Sequence, residues 1–390
     1  MNRVLFLFNH DAGHQVAHLA SVAAATARLH PELHCTIAYA TPAIRSRLET
    51  LIAPADAALL EWTELALTGW RRSLAALGDV ILPASRLLRL SQFADLFARS
   101  AVVVSTERTC LRVKRHLDPA RTPAFAMVPH GAGDRNVSYH PDFARFDRVL
   151  VAGQKVVDQM TAHGVARDRL EIVGYPKFET IDLTARPDFF GNGRPTFVYN
   201  PHFDPHLSSW YDSGPDLLRW FASDQGQQFN CIFAPHVMLF RKALHISPEY
   251  RVARRRPDVP AEAAAAPNIV VDTGSERLFD MSYMLGADAY IGDVSSQIYE
   301  FLARPRPAFF IDPRARPDPA EDQWLAFRKA GPVTSDTASL VAMLPNHARI
   351  GHEYAPAQRE LFRYTFDIGT ATAAERAAGA IAGLVRAKDP

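Results

Sequence analysis

Cysteine is scarce. Cys35, Cys110 and Cys231 are the only three in 390 residues, and they stand far apart with no Cys-x-x-Cys. Neither a disulfide framework nor a zinc–thiolate site is expected, and a reducing cytosol fits. An excess of one charge is missing as well: 43 Lys and Arg stand against 42 Asp and Glu. A general nucleic-acid binder carries a strongly basic balance, so no nucleic-acid partner is expected. No apolar run approaches the ~18 residues of a membrane span. The opening run to Phe8 breaks at Asn9-His10-Asp11, too soon for a signal peptide. Any membrane contact is therefore expected to be peripheral, from the cytoplasmic side. Catalytic signatures are missing too. There is no GxxxxGK[ST], no GxGxxG after a strand, no DxD pair at a strand end, no GxSxG elbow and no His-Glu-x-x-His. No metal or other cofactor is expected.

What the chain has is alternation. Short apolar runs read as strands at 4–8, 35–39, 101–105, 125–128, 149–152 and 170–173, with helical stretches between, among them 14–29 and 155–163. After Gly174-Tyr175-Pro176 the pattern pauses. Residues 182–195 hold Pro187, Gly191, Gly193 and Pro195 and read as a linker. Strands then resume at 196–199, 230–234, 269–271, 289–291 and 308–311, with helices expected at 215–222, 276–286 and 295–303. Buried strands alternating with helices mean βαβ units and parallel sheets. The fold class expected is α/β, as two Rossmann-like doubly wound domains facing across a cleft, at 1–180 and 195–345. Residues 346–390 read as a C-terminal helical segment packing back across them. The basic run Arg251–Arg256 reads as a solvated loop.

Chemistry collects at strand ends, where open α/β sheets bind ligands. Asp293, Ser295 and Ser296 follow a strand ending at Gly292 and are expected to open a helix running to Leu302. Helix N-termini expose unpaired N–H groups and hold phosphate, although Asp and Ser are also ordinary caps. Gln297 belongs to the same turn, and Glu300 is placed to accept from a ribose hydroxyl. His130 lies between a strand end and the glycines Gly131 and Gly133, which let backbone approach a ligand. A histidine there can take a proton from an attacking hydroxyl. Phe233-Ala234-Pro235-His236 repeats the strand–Pro–His arrangement in the second half, which suits a leaving-phosphate stabiliser. Asn9-His10-Asp11-Ala12-Gly13-His14, after the first strand, is a candidate acceptor contact, with His18 at the same spacing. His202 and His206 follow Tyr199-Asn200-Pro201 and are candidates for contact with donor or acceptor.

Together these blocks resemble the CDP-glycerol glycerophosphotransferase family, the teichoic-acid primases and polymerases of GT-B fold. Pro129-His130-Gly131 is similar to the family's Trp-His-Gly-Thr, and Gly174-Tyr175-Pro176-Lys177-Phe178 to its Gly-Tyr-Pro-Arg-Phe-Asp. Phe233-Ala234-Pro235-His236 is similar to its Arg-Pro-His-Pro, and Asp288 through Glu300 to its long Ser-Asp…Asp-Tyr-Ser-Ser block. Tyr199-Asn200-Pro201 looks like its Tyr-Ala-Pro. The resemblance implies transfer of glycerol phosphate, or a related polyol phosphate, from a CDP-linked donor to an acceptor hydroxyl without a metal. It implies His130 as base and His236 as neutraliser of phosphate charge. It implies Ser295 and Ser296 on the pyrophosphate, Asp293 orienting that turn, and Gly174, Tyr175 and Pro176 shaping the cleft. Here Pro129 replaces Trp and Ala132 replaces Thr. Ala234 stands where the family has Arg, a charge that Arg241 or Lys242 could restore.

The expected partners are a nucleotide-activated donor, CDP-glycerol or a nucleotide sugar, and a lipid-linked or polymeric acceptor of cell-surface polymer synthesis, such as capsule. Three rival readings stand beside this one: a GT-B glycosyltransferase using a nucleotide sugar, a non-hydrolysing sugar-nucleotide epimerase, which needs cleft carboxylates, and a non-catalytic nucleotide-binding subunit.

Overall fold

The structure is a computed structural model that describes residues 2–10, 13–79, 84–134, 140–312, 314 and 325–388. Seven strands build the first sheet: β1 (Arg3–Phe8), β2 (His34–Tyr39), β3 (Glu61–Glu64), β4 (Val102–Ser105), β5 (Ala124–Met127), β6 (Arg148–Val151) and β7 (Leu170–Ile172). All pair in parallel, in the order β3-β2-β1-β4-β5-β6-β7. Val4–Phe8, Val102–Val104 and Phe125–Met127 are buried residue after residue, as strands covered on both faces must be.

Eight further strands follow: β8 (Thr196–Asn200), β9 (Asn230–Phe233), β10 (Leu244–Ser247), β11 (Val252–Arg255), β12 (Ile269–Val271), β13 (Ala289–Gly292), β14 (Ala308–Ile311) and β15 (Val333–Thr334). Six form a second parallel sheet, β12-β9-β8-β13-β14-β15, while β10 and β11 form a separate antiparallel hairpin. The basic run therefore supplies a strand rather than a loop. Arg254 is held there by a paired contact to Asp212 (both 2.7 Å), and Arg256 lies over the Phe240 ring at 4.1 Å.

The chain divides into two compact units. One comprises the described residues of Met1–His130, Val137–Ile181 and Thr365–Pro390, and the other those of Gly131–Asn136 and Asp182–Tyr364. Each is Rossmann-like and doubly wound. In the first unit the Ala20–Leu29 helix packs against the C-terminal helix Ala373–Lys388, and both feed one core with Phe6, Val22, Ala377 and Ile381. The second core centres on Phe197, Tyr199, Trp210, Phe233 and Ile291.

The strand order reverses between β1 and β4 in one sheet and between β8 and β13 in the other. Ligands of such sheets bind outside the carboxyl ends of the strands at these reversal points. The expected 276–286 helix is broken. A 3₁₀ turn covers Glu276–Leu278, Met281 takes a left-handed conformation (φ 67°), and helix resumes at Ser282–Gly286. Among the described residues no helix is long and apolar enough to cross a membrane.

Candidate functional site

In the first unit, the chain leaving β1 carries His10 and then a 3₁₀ helix, Gly13–His18. The chain leaving β4 carries Thr106, and that leaving β5 carries His130. His130 donates from Nδ1 to the Thr106 carbonyl at 3.0 Å. A carbonyl can only accept, so Nδ1 holds the proton and the neutral ring keeps its lone pair on Nε2. Thr106 is in turn tied by its hydroxyl to Gln15 Oε1 at 3.1 Å. Surrounding chain strips water from the His130 ring and lowers its pKa; the Thr106 bond opposes this, while Arg108 and Arg86 add to it. Part of the residue nonetheless stays open to solvent. His130 is thus neutral near pH 7 with an accepting nitrogen, which is what a base requires.

Other histidines gather around it. The ring of His14 lies 6.2 Å from that of His130, and the ring of His18 lies 6.5 Å away. His18 is buried, stacks edgewise on Tyr175 at 5.1 Å, and has no hydrogen-bond partner on Nδ1. Burial holds its pKa well below the ordinary value, with repulsion from Lys177, His130, His14 and His10 adding to the effect. Lys177 and His18 escaped emphasis in the sequence because nothing local joins residues 18 and 177. His10 is fully buried and His14 half-buried. Asp11 and Ala12 of that block lie outside the described residues. No group of three His, Cys, Asp or Glu among the described residues has a metal-holding arrangement.

Gly174, Tyr175 and Pro176 serve packing. Gly174 sits at φ 93°, and a Cβ there would meet the Arg376 guanidinium at 2.5 Å and the Asp367 carbonyl at 2.8 Å. Tyr175 and Pro176 are buried, and Tyr175 lies against Phe178 and Phe366 with ring centroids 4.9 and 4.8 Å away.

In the second unit three strand ends are stitched together. Asn200, closing β8, donates to the Ala234 carbonyl at 2.6 Å and accepts from the Ser295 hydroxyl at 2.8 Å. The His236 N–H bonds the Pro201 carbonyl at 3.0 Å. Asp293 accepts from the His202 N–H at 2.9 Å, the Ser209 N–H at 2.7 Å and the Ser209 hydroxyl at 2.8 Å. Burial pushes its carboxyl up to about 7, against those three bonds, which favour the ionised form. Asp293 therefore latches the loop after β8 and does not cap a helix. The helix is also shorter than expected, Gln297–Phe301, with Ser296 before it. Five residues make little more than one turn, so most of the expected dipole is missing. Ser295 spends its hydroxyl on Asn200, and Gln297 spends its amide on the Leu278 carbonyl at 2.9 Å. Glu300 is buried rather than open to a ribose, and Tyr199 is buried in the core with its hydroxyl on Ser209 at 2.9 Å. Pro201 is buried as well.

What stays accessible is Ser296, which is exposed, and His236, which is half-buried. A Cβ on Gly133 would stand 3.1 Å from Ser296 Cβ, and one on Gly131 3.7 Å from its hydroxyl, so both glycines let the post-β5 segment lie against that turn. Asp134 fixes the segment by accepting from the Tyr299 hydroxyl and from the Phe327 N–H. His236 accepts on Nδ1 from the Met238 N–H at 3.2 Å, so its neutral ring carries the proton on Nε2. His202 is set the same way, accepting on Nδ1 from the Asp204 N–H at 3.0 Å. Its ring lies 5.1 Å from that of His236. His206 stacks on Tyr250 at 4.1 Å.

No protein-family profile matches the chain, and no curated protein matches it in sequence. Solved structures do match in fold. One is the wall teichoic acid polymerase TagF, with a TM-score of 0.57 at 14% identity over 99% of this chain and 88% of that one. Another is a UDP-N-acetylglucosamine 2-epimerase described for Listeria monocytogenes, at 0.62 and 11% over 99% and 96%. A third, the UDP-GlcNAc 2-epimerase of Neisseria meningitidis, stands at 0.58 and 11% over 99% and 100%. The fold is therefore that of the GT-B enzymes.

Proposed function

We propose that the protein transfers a phosphate-linked group, glycerol phosphate or a related polyol phosphate, from a CDP-linked donor to an acceptor hydroxyl in cell-surface polymer synthesis. The observation that carries this is the opposite wiring of two strand-end histidines. His130 donates from Nδ1 and keeps Nε2 as an acceptor, while His236 accepts on Nδ1 and keeps Nε2–H as a donor. Group transfer needs both halves: a base for the attacking hydroxyl and a donor for the charge left on the departing nucleotide. The acceptor hydroxyl gives its proton to His130 Nε2 as its oxygen bonds to the donor phosphorus. The phosphorus–oxygen bond to the nucleotide phosphate breaks, and CMP leaves with the electron pair. His236 Nε2–H and the Ser296 hydroxyl supply hydrogen bonds to that charge. Two further facts support the reading: one TagF structure was soaked with CDPG, and the Neisseria epimerase is bound to UDP-GlcNAc.

The test has two arms. In a thermal-shift screen, CDP compounds should raise the melting temperature more than UDP or GDP compounds, since a ligand of the folded state alone stabilises it. Turnover is then followed with CDP-glycerol and a hydroxyl acceptor. His130→Ala and His236→Ala should each slow it by about 10²-fold or more. Preference for UDP-sugars would redirect the reading to a glycosyltransferase, or to an epimerase if product forms without acceptor. Binding without any turnover would reduce the protein to a nucleotide-binding subunit.

A further inference from the structure

The β10–β11 hairpin is built with two different faces. On the inner face His245 donates from Nε2 to the carbonyls of Leu239 (2.9 Å) and Lys242 (3.1 Å), and the Ser247 hydroxyl donates to Asp204 at 2.8 Å. On the outer face Leu244 is 55% exposed and Ile246 65% exposed. Their partners in register are Arg255 and Ala253, also exposed. Exposed aliphatic residues scattered singly need no explanation, but two on one strand face in a stretch rich in exposed cations do.

Arg255 stands opposite Leu244 on that face, and Arg241, Lys242 and Arg251 of the same stretch are exposed with it. Glu249 is the only carboxylate between residues 241 and 256. The other two arginines of the run are committed to the protein, Arg254 to Asp212 and Arg256 to Asp258 at 3.1 Å. The run therefore divides: Arg254 and Arg256 hold the hairpin down, and Arg251 and Arg255 point away from it into solvent.

We propose that the outer face of this hairpin docks on an anionic lipid surface. Cations alone would suit any polyanion. Leu244 and Ile246 between them suit a surface with an apolar layer just beneath its charges, where aliphatic groups insert and Lys and Arg meet the headgroups. The inner face gives docking a consequence. Ser247 holds Asp204, whose N–H holds His202, whose N–H is held by Asp293. A hairpin seated on lipid thus sets the loop after β8 beside the surface. The inference does not depend on the chemistry proposed above.

The test uses the full chain and sedimentation with phosphatidylcholine vesicles, with and without phosphatidylglycerol. Binding is expected only with the anionic lipid and should weaken as salt rises. Leu244→Asp/Ile246→Asp should abolish it, and Arg251→Gly/Arg255→Glu should weaken it by about tenfold or more. Unchanged melting temperatures show that both variants fold; if the aspartates unfold the protein, Leu244→Ser/Ile246→Ser takes their place with the same expectation. Failure to bind anionic vesicles would overturn the proposal, as would equal binding by all variants. Retention on heparin that needs the arginines but not the aliphatic pair would assign the face to a soluble polyanion instead.

Discussion

At the scale of single residues, a histidine's usefulness is set by what its other nitrogen touches. The Thr106 carbonyl commits His130 to one tautomer, and burial lowers its pKa. A base acts when neutral, so the acid side of a kcat/KM profile should fall as pH drops through a pKa lying below 6.5. At pH 6.5 more than half of the plateau rate should remain. His130→Gln should flatten that limb while slowing the reaction by about 10²- to 10⁴-fold. A limb centred above 7, or one that survives the substitution, removes His130 from the base role. The position of this residue was legible in the sequence because a strand end followed by Gly-x-Gly is a local signal. Its tautomer was not, because Thr106 is 24 residues away. Tyr199 and Glu300 were misjudged for a related reason. A residue at a strand end, like Tyr199, or on a short helix, like Glu300, can face either side, and only the packed core decides which.

At the scale of elements, the candidate donor site is a junction of loops rather than a helix end. Asp293 holds the loop after β8 through three hydrogen bonds, and its carboxyl is pushed up from 3.8 to about 7. Between those values the folded chain keeps a proton that the unfolded chain has lost. Stability from this group is therefore present below pH ~4 and lost as pH rises to about 7, by at most about 4 kcal/mol. Asp293→Asn should remove that slope and add a pH-independent loss of ~1–3 kcal/mol for the missing acceptor. Denaturant melts of both proteins at pH 5 and pH 7.5 separate slope from offset. A wild-type protein as sensitive to this change as the Asn variant would mean that Asp293 stays ionised and that its three bonds outweigh burial. Long buried strands such as β1 and β8 could be read from sequence by their unbroken apolar runs. β3 and the hairpin could not, because Glu61-Trp62-Thr63-Glu64 is half-exposed and Val252–Arg255 spends its alternation on arginines. Helix length misled as well: Asp293 looks like a cap yet holds the loop after β8, and Ser295, whose oxygen accepts from the Gln297 N–H at 3.4 Å, gives its hydroxyl proton to Asn200.

At the scale of the whole chain, the last helix belongs with the first unit. Ala373–Lys388 lays Ala374, Ala377, Ala378 and Ile381 against a core that also takes Val22, Ala23 and Ala27 from Ala20–Leu29. Small residues on both helices let their backbones come close, so the contact tolerates little change of volume. Ile381 is fully buried, and Ile381→Ala should cost ~2–5 kcal/mol. A chain of two compact units need not unfold in one step, so the loss should be local. Hydrogen exchange should show amides of Ala20–Leu29 and β1 losing protection, while those of Gly214–Ala222 and β13 keep theirs. Loss spread evenly over both units would mean that they unfold as one, and loss confined to the second would break the pairing argued here. The chain order alone could not reveal this pairing: residues 20 and 381 are joined only by what neither helix can bury alone.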